Sequence, residues 1–132
     1  MTTEQKRQMI LNAAEDAKAE RINALDLRGK TLIADYFVIC SGNSDVHIRS
    51  IAEKIQDALR EAGERALRVE GFREAIWVLL DYGDVVVHVM REETRQHYGL
   101  EAFWQNAPLI ESLREHISDE PRKRAGSEAG RD

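Results

Sequence analysis

The chain has 132 residues, 42% of them hydrophobic and 33% charged, and carries a net charge of −5 at neutral pH. That length provides one domain with a modest core, and the acidic balance argues against broad, salt-sensitive binding to nucleic acid, which requires a surplus of Lys and Arg on one surface. The single cysteine, Cys40, excludes a disulfide framework or a Cys-x-x-Cys metal site within the chain and suits a reducing compartment.

Taken in order, Thr2 and Gln5 offer a capping box, and Met9, Ile10, Ala13, Ala14 and Ala17 recur at helical spacing, which predicts a helix over 3–19. Residues 22–27 read as a short strand closed by Arg28-Gly29-Lys30, and the continuous apolar run from Tyr36 to Ser41 as a central strand. Gly42-Asn43-Ser44 ends that strand and supplies an N-cap, Asn43 or Ser44. A helix then follows along Ile48, Ile51, Ala52, Ile55, Leu59 and Ala62 up to Gly63. Leu67 and Val69 alternate with Arg68 and Glu70 in an edge strand.

The stretch IWVLLDYGDVVVHVM, residues 76–90, predicts a hairpin. A two-residue Tyr82-Gly83 loop would set Leu80 opposite Val85 and Trp77 opposite His88. One face then carries Ile76, Val78, Leu80, Val85, Val87 and Val89, and the other Trp77, Leu79, Val86, His88 and Met90. Both faces are apolar, so the second needs either another layer of the fold or a partner. A last helix is expected over 91–98, broken at Gly99, with Leu100, Phe103 and Trp104 returning towards the hairpin. Residues 111–132 hold eleven charges in twenty-two positions and are expected to form a flexible tail after a domain of residues 1–110. Together these elements predict an α/β domain with a mixed five-stranded sheet and flanking helices.

No apolar run approaches the roughly 20 residues that span a bilayer, and Glu4, Glu15 and Asp16 speak against a signal or transit peptide, so the expected location is cytoplasmic. The Ser41-Gly42-Asn43-Ser44 loop before a helix invites a phosphate-binding reading, but helix capping is the simpler account of the same residues. Phosphoryl or nucleotidyl transfer would want two carboxylates converging on Mg²⁺, and the strand from Val85 to Met90 offers none. Asp81 and Asp84 flank the turn, where Asp serves local backbone donors more often than a metal. His47, His88, His97 and His116 lie at no zinc-ligand spacing, and nothing in the spacing of Ser41 or Ser44, His88 and Asp81 recommends a nucleophilic triad. No cofactor is expected. The aromatics Trp77, Tyr98, Phe103 and Trp104 read equally well as core or as a binding surface.

Read together, DYFVICSGNSD, EGFREAIWVLLDYGDVVVHVM and RQHYGLEAFWQNAP resemble the ribosomal silencing factor family, also called the RsfS or Iojap family, over residues from about 5 to 110. The shared positions are Asp35 to Ile39, Ser41 to Ser44, Trp77, Asp81 to Asp84, Val87 to Val89, Arg95, Tyr98, Leu100, Glu101 and Trp104. Gly99 departs from the family's acidic residue. The resemblance implies a nucleotidyltransferase-like topology without the catalytic carboxylates. It also implies a non-enzymatic cytoplasmic factor that binds the large ribosomal subunit through its universal ribosomal protein fourteen, blocks joining with the small subunit under nutrient limitation, and forms a homodimer when free. The docking residues expected on that basis are Trp77, Asp81, His88, Met90, Tyr98, Leu100, Glu101 and Trp104, with Asp81 and Glu101 meeting basic side chains. The alternatives are a nucleotidyltransferase-like enzyme using the Ser41 to Ser44 loop and an RNA chaperone, which the acidic charge disfavours.

Overall fold

The structure, a computed structural model, describes residues 1–102. Its elements are α1 (Thr3–Asp16), β1 (Glu20–Asp26), β2 (Tyr36–Gly42), α2 (Asp45–Glu61), β3 (Arg68–Glu70), β4 (Trp77–Asp81), β5 (Val85–Arg91) and α3 (Glu92–Tyr98). The five strands form one sheet in the order β1-β2-β5-β4-β3, in which β2 and β5 are parallel and every other neighbouring pair is antiparallel. This is the mixed five-stranded sheet that the apolar periodicity predicts. The charged tail expected over 111–132 lies outside the described residues.

Local chemistry explains the element boundaries. The Thr2–Gln5 capping box closes reciprocally, with Gln5 N donating to Thr2 Oγ1 at 3.0 Å and Thr2 N donating to Gln5 Oε1 at 2.9 Å. α1 stops three residues before the predicted end, because Ala17 caps it and Lys18 turns into the left-handed region at φ 63°. Ser44 rather than Asn43 caps α2, its hydroxyl accepting from His47 N at 3.1 Å.

Every residue of β2 and all but the last of β4 and β5 are buried, so the sheet is covered on both sides. On one side α1 and α2 lay Ile10, Ala13, Ile48, Ile51, Ile55 and Leu59 against Val38, Cys40, Val78, Leu80, Val85, Val87 and Val89. On the other side Phe37, Ile39, Trp77, Leu79, Val86 and Met90 pack under Leu27, Ala34 and Leu100.

The hairpin is real, but its register is displaced by two residues. Leu80 faces Val87 rather than Val85, and Trp77 faces Met90 rather than His88. Both predicted faces survive, since the side-chain period of a strand is two and an even slip returns each residue to its own side. The displacement comes from the turn. Asp84 N donates back to Tyr82 O at 3.2 Å around Gly83 at φ 88°, and Tyr82 N donates to Val85 O at 2.9 Å. This three-residue turn is closed around a backbone angle that only glycine adopts without strain. Distant residues then hold it: Thr3 Oγ1 and Lys6 Nζ donate to the Asp84 carboxylate at 2.6 and 2.8 Å. Asp35 N and Tyr36 N donate to the Asp84 carbonyl.

Candidate functional site

The second face of the hairpin is where the expected docking residues converge, and it is a second core layer rather than an open surface. Trp77 is 5% exposed, His88 and Met90 0%, and Leu100 2%. The expectation that these four present an exposed patch therefore fails. The reason is the chain after β5: α3 ends at Gly99, whose left-handed φ of 59° reverses the backbone so that Leu100 drops onto the sheet. The same turn accounts for glycine at the position where the resemblance implies an acidic residue. Tyr98 is half-buried and stacks at 5.0 Å on Trp77. Trp104 lies outside the described residues.

Inside this layer Trp77 and His88 form one unit. The Trp77 indole Nε1 donates to His88 Nδ1 at 3.0 Å, and Phe37 packs edge-on to the imidazole at 4.6 Å. An accepting Nδ1 places the neutral ring's proton on Nε2, which has no hydrogen-bond partner among the described residues. Burial pushes the His88 pKa down to about 3. The unfolded chain binds a proton near the ordinary histidine value while the folded chain refuses it, so stability falls as pH drops between those two values. Lowering the pH from 6.5 to 4.5 should therefore destabilise the fold by about 2–3 kcal/mol through His88, to which the carboxylates add a loss of their own towards the lower end. Urea unfolding across that range checks it. The His88→Asn variant, whose side-chain oxygen stands in for Nδ1, should show a markedly flatter profile, and an unchanged slope would show that His88 is not the source.

The acidic candidates are engaged within the chain. Asp81 Oδ1 accepts from Gly83 N at 2.8 Å, and Arg68 Nε lies 3.6 Å from Oδ2, which is the turn role that its position predicts. Asp84 is held separately by Thr3 and Lys6. Among the described residues no group of His, Cys, Asp and Glu is placed to hold a metal ion.

Glu101 takes part in a buried lock that sequence reading did not assign. Arg95 Nε and Nη2 donate to the two oxygens of Glu101 at 3.0 and 2.8 Å, and Arg95 Nη1 donates to Ser41 Oγ at 2.9 Å. Ser41 Oγ in turn donates to Glu92 Oε1 at 2.9 Å. A bulge in β1, with Arg21 at φ 50°, aims Arg21 at Glu92, and Asn23 reaches Glu101. The Arg95 hydrogen bonds hold the Glu101 carboxyl below its usual range against the opposing effect of burial, with Asn23 assisting. Arg95 was visible in the family-like motif, but its partner six residues on, across a glycine break, follows no helical spacing rule. The only sequence signal was a cation and an anion straddling Gly99.

The Ser41 to Ser44 loop is likewise closed. Ser41 serves Arg95 and Glu92, Asn43 N donates to His47 Nδ1 at 3.1 Å, and His47 Nε2 meets Ala17 O at 3.0 Å. A Cβ on Gly42 would lie 2.7 Å from Ile48 Cγ1, so the loop sits flush on α2. These bonds match the helix-cap account and leave Ser41, His88 and Asp81 serving three different partners. Cys40 is buried, and desolvation pushes its thiol up to about 12, which makes it an unreactive core residue.

Sheet order and the two covered faces place the protein among small mixed α/β domains already solved from bacteria. A crystal structure from Chromobacterium violaceum superposes with a TM-score of 0.78 at 34% identity, covering 80% of this chain and 88% of that one. A second, from Bacillus halodurans, gives 0.71 at 41% identity, covering 77% and 95%. The family described as ribosomal silencing factor during starvation, RsfS, matches residues 1–132, and the chain belongs to it. It is 50% identical over 99 residues to the ribosomal silencing factor RsfS of Bacillus subtilis, covering 75% of this chain and 84% of that protein. It is 43% identical over 111 residues to that of Halalkalibacterium halodurans, covering 84% and 95%. A mouse protein named mitochondrial assembly of ribosomal large subunit protein 1 is 29% identical over 99 residues, 73% of this chain and 43% of its own length.

Proposed function

We propose that this protein is a translational repressor that associates with the large ribosomal subunit through universal ribosomal protein fourteen, covers the surface that receives the small subunit, and so slows translation under nutrient limitation. The observation that carries the reading is membership of the ribosomal silencing factor family over the whole chain. The relative named for assembly of the mitochondrial large subunit adds support for that partner. The mechanism is steric, without a catalytic step: a bound domain prevents subunit joining for as long as its residence outlasts the encounters between subunits. A cytoplasmic location and a homodimer of the free chain belong to the same proposal. No helix of the described residues is long and apolar enough to cross a membrane.

The docking surface we propose is the outer side of the α3 layer together with the hairpin end. Tyr98 and Asp81 reach its surface, with Glu101 partly exposed, and Trp104, which the resemblance alone assigns to docking, lies outside the described residues. Trp77, His88, Met90 and Leu100 act from beneath by holding that layer rigid, which lowers the ordering entropy that binding must overcome. The nucleotidyltransferase-like reading has no observation in its favour, since the Ser41 to Ser44 loop is occupied by its own hydrogen bonds.

Co-sedimentation tests the proposal. Purified chain should travel with isolated large subunits and reduce the yield of joined ribosomes when small subunits are added, and failure of either result refutes it. Asp81→Asn keeps an acceptor for Gly83 N but removes the charge. Binding kinetics at low salt should show slower association for this variant with a smaller change in dissociation, as a steering charge requires. Equal association rates would remove Asp81 from the surface.

A further inference from the structure

The turn between β4 and β5 is flanked by two leucines that the fold leaves in solvent. Leu32, in the loop joining β1 to β2, is 94% exposed, and Leu67, just before β3, is 73% exposed. They share one end of the sheet. The loop of Leu32 ends at Asp35, whose N donates to the Asp84 carbonyl at 2.8 Å, and Leu67 N donates to the Asp81 carbonyl at 2.7 Å. A Cβ on Gly83 would lie 3.5 Å from Leu67 Cδ1, so Leu67 leans on the turn itself. A lone exposed leucine is ordinary on a protein surface, whereas two that bracket the same turn make an apolar end.

Leu32 is also held out by a loop fixed on both sides of it. Leu27 and Ala34 are buried in the second-face core with Trp77 and Leu100, and Ile33 packs against that core. Thr31 is buried, and its hydroxyl accepts from Ile33 N at 3.0 Å, bridging the residue between them. Leu27 N donates to Asp35 O at 2.8 Å and Lys30 N to Leu27 O at 2.9 Å, which closes the loop at its base. An apolar side chain presented on a fixed mount loses little entropy when a partner covers it, so most of the gain from burying it is kept.

We propose that this end docks on a protein surface, with Leu32 and Leu67 entering apolar recesses beside a cationic side chain that meets Asp81. The inference rests on the ribosome reading and names contacts within its docking surface, with universal ribosomal protein fourteen as the occupant. The loop ties the two parts of that surface together: it joins the hairpin end through Asp35 and Asp84, and the layer over the second face through Leu27 and Ala34. Protein is favoured over ribosomal RNA because leucine offers neither charge nor hydrogen bond to a phosphate backbone, which the Asp81 carboxylate repels.

Co-sedimentation with isolated large subunits over a range of concentrations tests it. Leu32→Ala and Leu67→Ala should each weaken association about tenfold, in line with the burial of a leucine side chain. Leu32→Met, which keeps the volume, should bind more tightly than Leu32→Ala. Val46→Ala, at a side chain 74% exposed beyond the opposite end of β2, should bind as the unchanged chain does. The urea midpoint of Leu32→Ala should not move, and purified ribosomal protein fourteen in place of subunits should show the same losses. Affinities untouched by both leucine substitutions, an equal loss from Val46→Ala, or a lowered midpoint for Leu32→Ala overturns the proposal. So does a loss confined to self-association of the free chain, or one seen with subunits but not with the isolated protein, which would assign this end to RNA. If the unchanged chain does not sediment with the subunits, the ribosome reading fails and this inference falls with it; if the unchanged chain and both leucine variants sediment alike, only this inference fails.

Discussion

Arg95→Ala should lower the stability of the fold by about 3–5 kcal/mol, the range found when one member of a buried ion pair is removed and the other is left behind. The Arg95 side chain is 2% exposed and its partner Glu101 22%, so solvent does little to soften the loss. Three hydrogen bonds vanish together, two to Glu101 and one to Ser41, and Ser41 sits in a fully buried strand. The effect should reach beyond α3, because the lock joins α3 to the end of β2 and, through Glu92 and Arg21, to β1. Urea unfolding of Arg95→Ala, Glu101→Gln and the double variant forms a cycle. Strong coupling between the two is expected, and additive losses would show that Arg95 acts through packing alone.

Trp77→Ala distinguishes a structural tryptophan from a docking anchor. An exposed anchor would cost about 2 kcal/mol or more in binding and leave the fold intact. Buried as it is, Trp77 should instead cost about 3–5 kcal/mol of fold stability, as truncation of a large core aromatic does. Among the described residues the indole also supplies the only hydrogen bond to the His88 ring, so its removal leaves the buried imidazole without a hydrogen-bond partner among them. Chemical denaturation is the measurement, with co-sedimentation at a temperature where the variant remains folded. A stable Trp77→Ala that no longer follows the large subunit would return Trp77 to the interface and require the layer over it to open.

These two residues also show where reading the chain succeeds and where it stops. Strand periodicity is a local signal and puts Trp77 on the correct hairpin face, although opposite His88 where the structure pairs it with Met90. Whether that face met solvent, a partner or the fold itself was a different question, decided by Leu27, Ala34 and Leu100, which are remote in the chain. Glu101 looked like a free acid for a basic partner, and only the reversal at Gly99 brings it onto Arg95. The hairpin register erred for a related reason: local turn preference favoured Tyr82-Gly83, while Thr3, Lys6 and Asp35 hold Asp84 from a distance.

By itself, then, the order of residues determined the helices, the strands, the cap at Thr2, and membership of a family whose motifs are contiguous and specific, while leaving the cap of α2 between Asn43 and Ser44. Such features depend on spacing within one or two turns of chain, where hydrophobic period and side-chain capping act directly. Tertiary structure alone decided that the Trp77–His88 pair is buried and that Arg95 and Glu101 form an internal lock. Each of those is a matter of which distant surfaces meet, and no local pattern encodes that geometry.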